Sequence, residues 1–269
     1  MQQSEGRGRA AILHPSESHE RISVGRRAPS DDLAPYVEYL WWVRWHAEPR
    51  YQQEVLPAPV VHVSAERHEG EPRLLVVGVQ RKKFIRTLRG EGHVVAVAFR
   101  PGGFRPLLGD RVSMVTGREV PASELLRSED RGVAAELLRA DIEDDAMVDA
   151  LSGWLRGLDA QPDPTVDELA ALVERVEDDR EIIRAEQVAA LAGVSLRTLQ
   201  RRFSDYVGVG PKWVVQRFRL LDVAAAAHSG ARVDWAGLAA DLGFSDQSHL
   251  TRAFTSVVGQ PPASYSRTA

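Results

Sequence analysis

GVSLRTLQRRFSDYVGVGPKW (193–213) and GFSDQSHLTRAFTSVVGQPPASY (243–265) are two versions of one local design, fifty residues apart. In the first, a small residue (Ala189) stands four positions before Gly193, and glycine suits a tight turn because it reaches positive φ without a Cβ clash. Ser195 then offers an oxygen to cap a second helix, on which Leu199 and Phe203 lie four apart and point inward. Arg197, Gln200 and Arg201 share the opposite face. The second version repeats the logic with Ala239, Gly243, Ser245 as the cap, and Leu250 and Phe254, leaving Gln247, Ser248, Thr251 and Arg252 outside. It has one more residue between its glycine and its Phe, which predicts helices that do not superpose at their starts. Both close alike, with Gly208 or Gly259, then Pro211 or Pro262, then an aromatic, Trp213 or Tyr265. Each unit therefore reads as a helix-turn-helix.

The outer faces carry the side chains that read base edges. Arginine bonds guanine and glutamine bonds adenine in bidentate fashion, and Ser or Thr can serve either. Between the units, PKWVVQRFRLLDVAAAAHSG reads as one continuous helix with Pro211 in its first turn. Eighteen residues at 1.5 Å give about 27 Å, against about 34 Å between successive major-groove faces of B-DNA. One chain can thus set two reading helices into neighbouring groove segments, a task that symmetric dimers usually perform.

Charge is distributed to match. The formal net charge is −4, but residues 1–126 carry 18 Lys/Arg against 15 Asp/Glu, residues 127–181 carry 6 against 17, and residues 182–269 carry 10 against 6. The duplicated region is basic and the acid is concentrated ahead of it; phosphates respond to that local sign.

The remainder of the chain reads differently. Residues 1–28 show little apolar pattern and are expected to be a flexible lead. From Pro29 to Leu126 the texture is β: Tyr39, Trp41, Val43 and Trp45 alternate onto one face, leaving Trp42 on the other, and short Val-rich runs are bounded by Pro and Gly. A short helix is expected after RPGGF, over Phe104 to Leu108. In the connector, 127–164, Met147, Leu151, Trp154 and Leu158 form a helical stripe, and Pro162 and Pro164 end it, with Asp163 or Thr165 able to cap the next helix. That helix carries Val166, Leu169, Val173 and Val176, a seam that admits a short coiled coil between two copies of the chain or packing within its own domain. Fewer than three heptads favour the second. The predicted architecture is α+β: a β-sandwich or barrel-like domain (29–126), a helical connector (127–164) and an all-α double helix-turn-helix domain (165–269).

At this point the sequence resembles the AraC/XylS family of transcription regulators over about 100 residues, from Thr165 to Tyr265, through SLRTLQRRF, VGVGPKW and LGFSDQSHLTRAF with its coda GQPPASY. The resemblance implies base reading by Arg197, Gln200, Arg201, Gln247, Ser248, Thr251 and Arg252, with Ser195 and Lys212 as phosphate contacts. The front half is similar to the β-rich sensing domains that precede this region in many members, through EVLPAPVVHV and VAFRPGGFRPLLGDRVSMVTGREVP, but implies no particular effector. Expected partners are double-stranded DNA and a small-molecule effector, with RNA polymerase and a second copy of the chain as further candidates.

Other chemistries find less support. Glu54, His62, His68 and His93 are candidate metal ligands for a cupin-like domain, but no close H-x-H pair is present, and His62 reads as a structural strand residue. RPGGF lacks the Lys-Ser/Thr of a phosphate-binding loop, and no G-x-S-x-G elbow exists. Cysteine is absent, which removes disulfides, thiolate zinc sites and the reactive cysteines of DNA-repair relatives. No enzyme activity, metal or cofactor is expected. An effector, if bound, is expected near Trp42, His62, Arg100 and Phe104. No signal-peptide run or ~20-residue apolar span occurs, so a cytoplasmic location is expected.

Overall fold

Valine- and alanine-rich runs with no polar partner to offer each other pair through their backbones. In the computed structural model, which describes residues 22–55, 58–68, 70–126, 128–228 and 233–268, six strands do so: β1 (Ile22–Arg27), β2 (Val37–Val55), β3 (His62–His68), β4 (Glu71–Val77), β5 (Phe84–Phe99) and β6 (Glu119–Pro121). They form one antiparallel sheet in the order β1-β2-β5-β3-β4-β6. β1 lies inside the stretch read as a flexible lead, which corrects that boundary. Its sequence ISVGRR has few apolar residues because it is an edge strand, held by pairing with Leu40–Trp45. The rest of the lead, 1–21, lies outside the described residues.

Alternation sorts the sheet into two faces. Leu40, Val63, Ala65, Leu74, Val76, Val95 and Val97 share one, fully buried. Helices α3 (Arg131–Leu137) and α4 (Asp144–Arg156) cover it. Trp42 belongs to this side: its Nε1–H donates to Asp144 Oδ2 (2.6 Å), and Arg44 Nε–H donates to Oδ1 of the same carboxylate (2.7 Å). The second face holds Ser64, Leu75, Ala96 and Ala98, also buried, because the long β2–β5 hairpin bends back across it. Ala65 pairs with Val95, so Glu66 stands level with Val94. Eight residues further along a straight strand Arg86 would be about 26 Å away. Its guanidinium nevertheless meets Glu66 at 2.9 Å and Glu119 at 3.0 Å. The bend falls where β2 slips register between Ala47 and Tyr51, opposite Gly90 with its positive φ of 56°. The result is the sandwich-like, barrel-like domain expected.

Beyond the sheet come α1 (Arg105–Leu108), a short turn at Val112–Val115, α2 (Ala122–Leu126), then α3, α4 and α5 (Pro164–Asp178). Asp163 caps α5 by accepting from the Thr165 N–H (2.9 Å). Val166, Leu169, Val173 and Val176 are all at most 3% exposed within this chain; the seam is used internally, and the coiled-coil alternative has no free surface. The duplicated region consists of α6 (Ala185–Leu191), α7 (Leu196–Arg202) with a π turn at Phe203–Val207, α8 (Pro211–His228), α9 (Trp235–Asp241), α10 (Gln247–Val258) and α11 (Pro262–Thr268).

Among the described residues two hydrophobic cores result. One runs from Leu33 through the sheet, α4, α5 and the first helix-turn-helix as far as Phe218. The other gathers Leu220, Val223, Ala239, Phe244, Leu250, Phe254 and Tyr265 around the second unit. α8 contributes to both.

Candidate nucleic-acid interface

Each unit is built from its turn outward. Gly193 (φ 63°) and Gly243 (φ 75°) close the turns in the left-handed region, where a Cβ is disfavoured. Ser195 Oγ then accepts from the Thr198 N–H (3.2 Å) to cap α7, as the sequence implied. In the second unit the cap is Asp246, whose Oδ1 accepts from the His249 N–H at 2.7 Å; Ser245 instead lies against His249 Nδ1. That backbone N–H, with those of its neighbours, holds the Asp246 carboxyl below the usual carboxylate range, against the effect of burial. This corrects the expectation of Ser245, and with it the alignment of the units. The additional residue sits in the turn, before the cap. From cap to coda the two helices then match position for position: Leu199 with Leu250, Phe203 with Phe254, Gly208 with Gly259.

On that alignment the outer faces also match. Arg197 corresponds to Ser248, Gln200 to Thr251 and Arg201 to Arg252. Thr251 is half-buried and the others are exposed, as are Gln247 and Lys212. Among the described residues none of these eight side chains forms a hydrogen bond or salt bridge, although the Ser248 backbone N–H and the Arg252 charge both act on the Asp246 carboxylate. Their inner partners are locked: Leu199, Phe203, Leu250 and Phe254 are all 0% exposed, each contributing roughly 1.5–3 kcal/mol by burial. So a rigid inner face presents a polar outer face free of side-chain hydrogen bonds and salt bridges. Leu191 is 54% exposed at the end of α6. Ala185, Val188 and Ala189 form the buried side of that short helix, and Leu191 falls off it.

The linker α8 has the expected eighteen residues. Sequence reasoning did not foresee how it is fixed. Arg219, 1% exposed, donates to the Val176 carbonyl at the end of α5 and pairs with Asp222 (3.2 Å), which also takes Arg180 (3.0 Å). Arg217, likewise buried, has its pKa lowered to about 9 by burial, against the pull of Glu177.

Also unforeseen, the sheet domain touches both codas. Thr116 Oγ1–H donates to the Gly208 carbonyl (2.7 Å), and a Cβ on Gly208 would meet Thr116 at 2.8 Å. The Lys83 N–H donates to the Val257 carbonyl (3.2 Å), with Lys83 Nζ beside Gly259. Behind the first unit, Tyr206 donates to Asp163 (2.7 Å), Arg105 lies over the Tyr206 ring, and Arg202 meets Glu168 (3.3 Å). These are long-range pairings; no local signal marks Thr116 or Lys83, though the cationic run QRKKF (80–84) was visible.

The four residues singled out for an effector do not converge. Trp42 faces α4, whereas His62 lies on the opposite face, its Nδ1 accepting from Trp41 Nε1–H (3.3 Å) with the rings edge to face. Phe104 is buried against Phe99 (5.2 Å), and Arg100 pairs with Asp167 (2.6 Å) on α5. The candidate metal ligands are separate too: Glu54 holds Lys83, and His93 meets the Leu137 carbonyl. Among the described residues no cluster of three metal-ligating side chains occurs. None of their helices is long and apolar enough to cross a membrane.

Known families match two segments of the chain. The family described as "Helix-turn-helix domain" matches residues 188–268, and the family described as "Domain of unknown function (DUF6597)" matches residues 25–121. AraC-like transcription regulators of Streptomyces antibioticus and Streptomyces lividans are 34% identical over 117 and 116 residues. These alignments take in 44% and 43% of this chain and 37% and 36% of the relatives, so the chain matches little more than a third of their length. Among solved structures, ToxT from Vibrio cholerae aligns over 92% of this chain and 98% of its own, at 10% identity and a TM-score of 0.36. That likeness is too loose to carry an argument. With two matching helix-turn-helix units on a shared linker, a helix-turn-helix family matched over residues 188–268 and AraC-like relatives at 34% identity, the chain is similar to AraC/XylS-family regulators.

Proposed function

We propose that this protein is a sequence-specific transcription regulator that reads two successive major-groove segments of one duplex. The carrying observation is the matched pair of outer faces, with Arg197, Gln200 and Arg201 on α7 and Gln247, Ser248, Thr251 and Arg252 on α10 free of side-chain hydrogen bonds and salt bridges among the described residues. Phosphate contacts from Ser195 and Lys212 supply sequence-independent affinity; Ser195 does so while capping α7. The test is selection of bound duplexes from a random pool by the full chain, followed by footprinting. Two protected blocks about one helical turn apart, without a palindrome, are expected; a single block or no enrichment refutes the reading.

The sheet domain serves, in this reading, to sense an effector and to change how the two units are presented, by shifting a conformational equilibrium. Its contacts with both codas support that role. A second reading, a constitutive binder whose sheet domain meets only proteins such as RNA polymerase or another copy, is favoured by one observation. The residues singled out for an effector, Trp42, His62, Arg100 and Phe104, do not converge on one cavity. Titrating metabolites against tryptophan fluorescence and then against operator binding separates the two: a compound that moves both signals supports the sensor, and none doing so supports the constitutive binder.

A further inference from the structure

We propose that the β4–β5 loop, Gln80–Lys83, is a third DNA contact, in which Arg81 and Lys82 of the sheet domain take backbone phosphates beside the groove segment read by α10. This rests on the reading of α7 and α10 as DNA-reading helices.

Three consecutive cations occupy this loop, and they are not used alike. Lys83 is spent inside the protein: its Nζ pairs with Glu54 (2.7 Å), and its N–H donates to Val257 O near the end of α10 (3.2 Å). That places a positive charge at the negative end of the helix dipole and fixes the loop against α10. Arg81 and Lys82 are exposed. Among the described residues neither has a hydrogen bond, ion pair or ring contact. Arg81 and Lys82 are adjacent like charges that repel one another, and among the described residues neither is paired with an acidic side chain, whereas Lys83 is offset by Glu54.

A duplex docked on α10 provides the missing anions. From Gln247 to Val257 the helix runs ten residues, about 15 Å, and the major groove is about 12 Å wide. When the first turns of α10 meet base edges, its far end reaches the groove's edge, where the sugar-phosphate backbone runs. The loop is held at that end. Arginine and lysine there gain phosphate contacts and release counterions without reading sequence.

The test is the salt dependence of full-chain binding to a duplex recovered by selection, for the wild type and for the double variant Arg81→Ala/Lys82→Ala. Each lost phosphate contact lowers the slope of log affinity on log salt by about 0.9. Loss of both makes the wild type's advantage shrink about tenfold between 50 and 200 mM salt, with base preferences unchanged and the wild-type slope kept by Arg81→Lys/Lys82→Arg. Equal slopes for the wild type and the alanine variant overturn the proposal, as does a changed base preference at an unchanged slope. If the wild type binds no duplex, the DNA reading itself fails, a result distinct from equal slopes.

Discussion

Arg201 and Arg252 stand at the same position relative to their caps, each exposed and each on the face opposite a buried Leu–Phe pair. If they read bases, Arg201→Ala and Arg252→Ala should each cost about 1–3 kcal/mol and relax preference at one base pair, in different groove segments. Binding to duplexes carrying single base-pair changes checks this; an unchanged preference removes that arginine from the readout. Lys212→Ala should instead weaken all sequences alike and lower the salt slope by about 1. A different residue governs pH. His62 is held down to about 4 by burial, with Arg26 adding to it, and its Nδ1 must be unprotonated to accept from Trp41. Its folded pKa lies below its unfolded value, so the unfolded chain binds the extra proton first. The contribution is present near pH 7 and is lost as pH falls from about 6.5 towards 4, about 2 kcal/mol of it by pH 5. Denaturation at pH 7 and 5 should show this loss in the wild type and little of it in His62→Asn.

At the scale of elements, the two turn glycines are alike in backbone and unlike in surroundings. A Cβ at Gly193 meets nothing within 4 Å, whereas one at Gly243 meets the Ile183 side chain at 2.8 Å. Gly193→Ala should therefore cost about 1–2 kcal/mol, from the left-handed backbone alone. Gly243→Ala should cost more, and Gly243→Val should disable the second unit. Thermal melts rank the three, and equal losses for the two alanine variants would deny the role of Ile183. Turns of this kind were legible because their signals are local: a small residue, a glycine, a cap and a Leu–Phe pair lie within a few residues of each other. The same local signals located the start of α5 and the length of α8. They misjudged the second cap because Ser245 and Asp246 are adjacent and both competent, and only backbone geometry chooses. Strand elements were less legible. β1 has little apolar content and is defined by its partner, and the bend of the β2–β5 hairpin depends on a register slip and an Arg86 pairing across about 20 residues to Glu66. The effector guess failed to converge for a related reason. Alternation told which residues share a face, but not that Trp42 is claimed by Asp144 and Phe104 by Phe99.

For the whole molecule, the division by sequence repeat and the division by packing differ. The two helix-turn-helix units look like equals, yet the first shares its hydrophobic core with the sheet, while the second has a small core of its own. α8 changes sides between Phe218 and Leu220. The bonds across that boundary include the Lys83 contact to Val257, whereas the first unit is tied down by Thr116, Asp163, Arg105 and Glu168 as well. Opening free energies follow the apolar contacts and hydrogen bonds a segment must break, so the second unit should open alone, at lower cost than the first. Native-state hydrogen exchange tests this directly. Amides in the middle of α10 should exchange through a sub-global opening that exposes α9 to α11 together, while those of α7 exchange only with the sheet strands β3 and β5. Lys83→Ala should lower the opening free energy of α10 and leave that of α7 unchanged, since it severs the Glu54 pair and the charge at Gly259 but touches nothing in the first unit. Equal protection of α7 and α10 would mean that the two cores unfold as one. A second unit that opens independently is also the unit whose orientation a change in the sheet domain can most readily bias, so under the proposed control it is the half-site facing α10, rather than that facing α7, whose occupancy should respond.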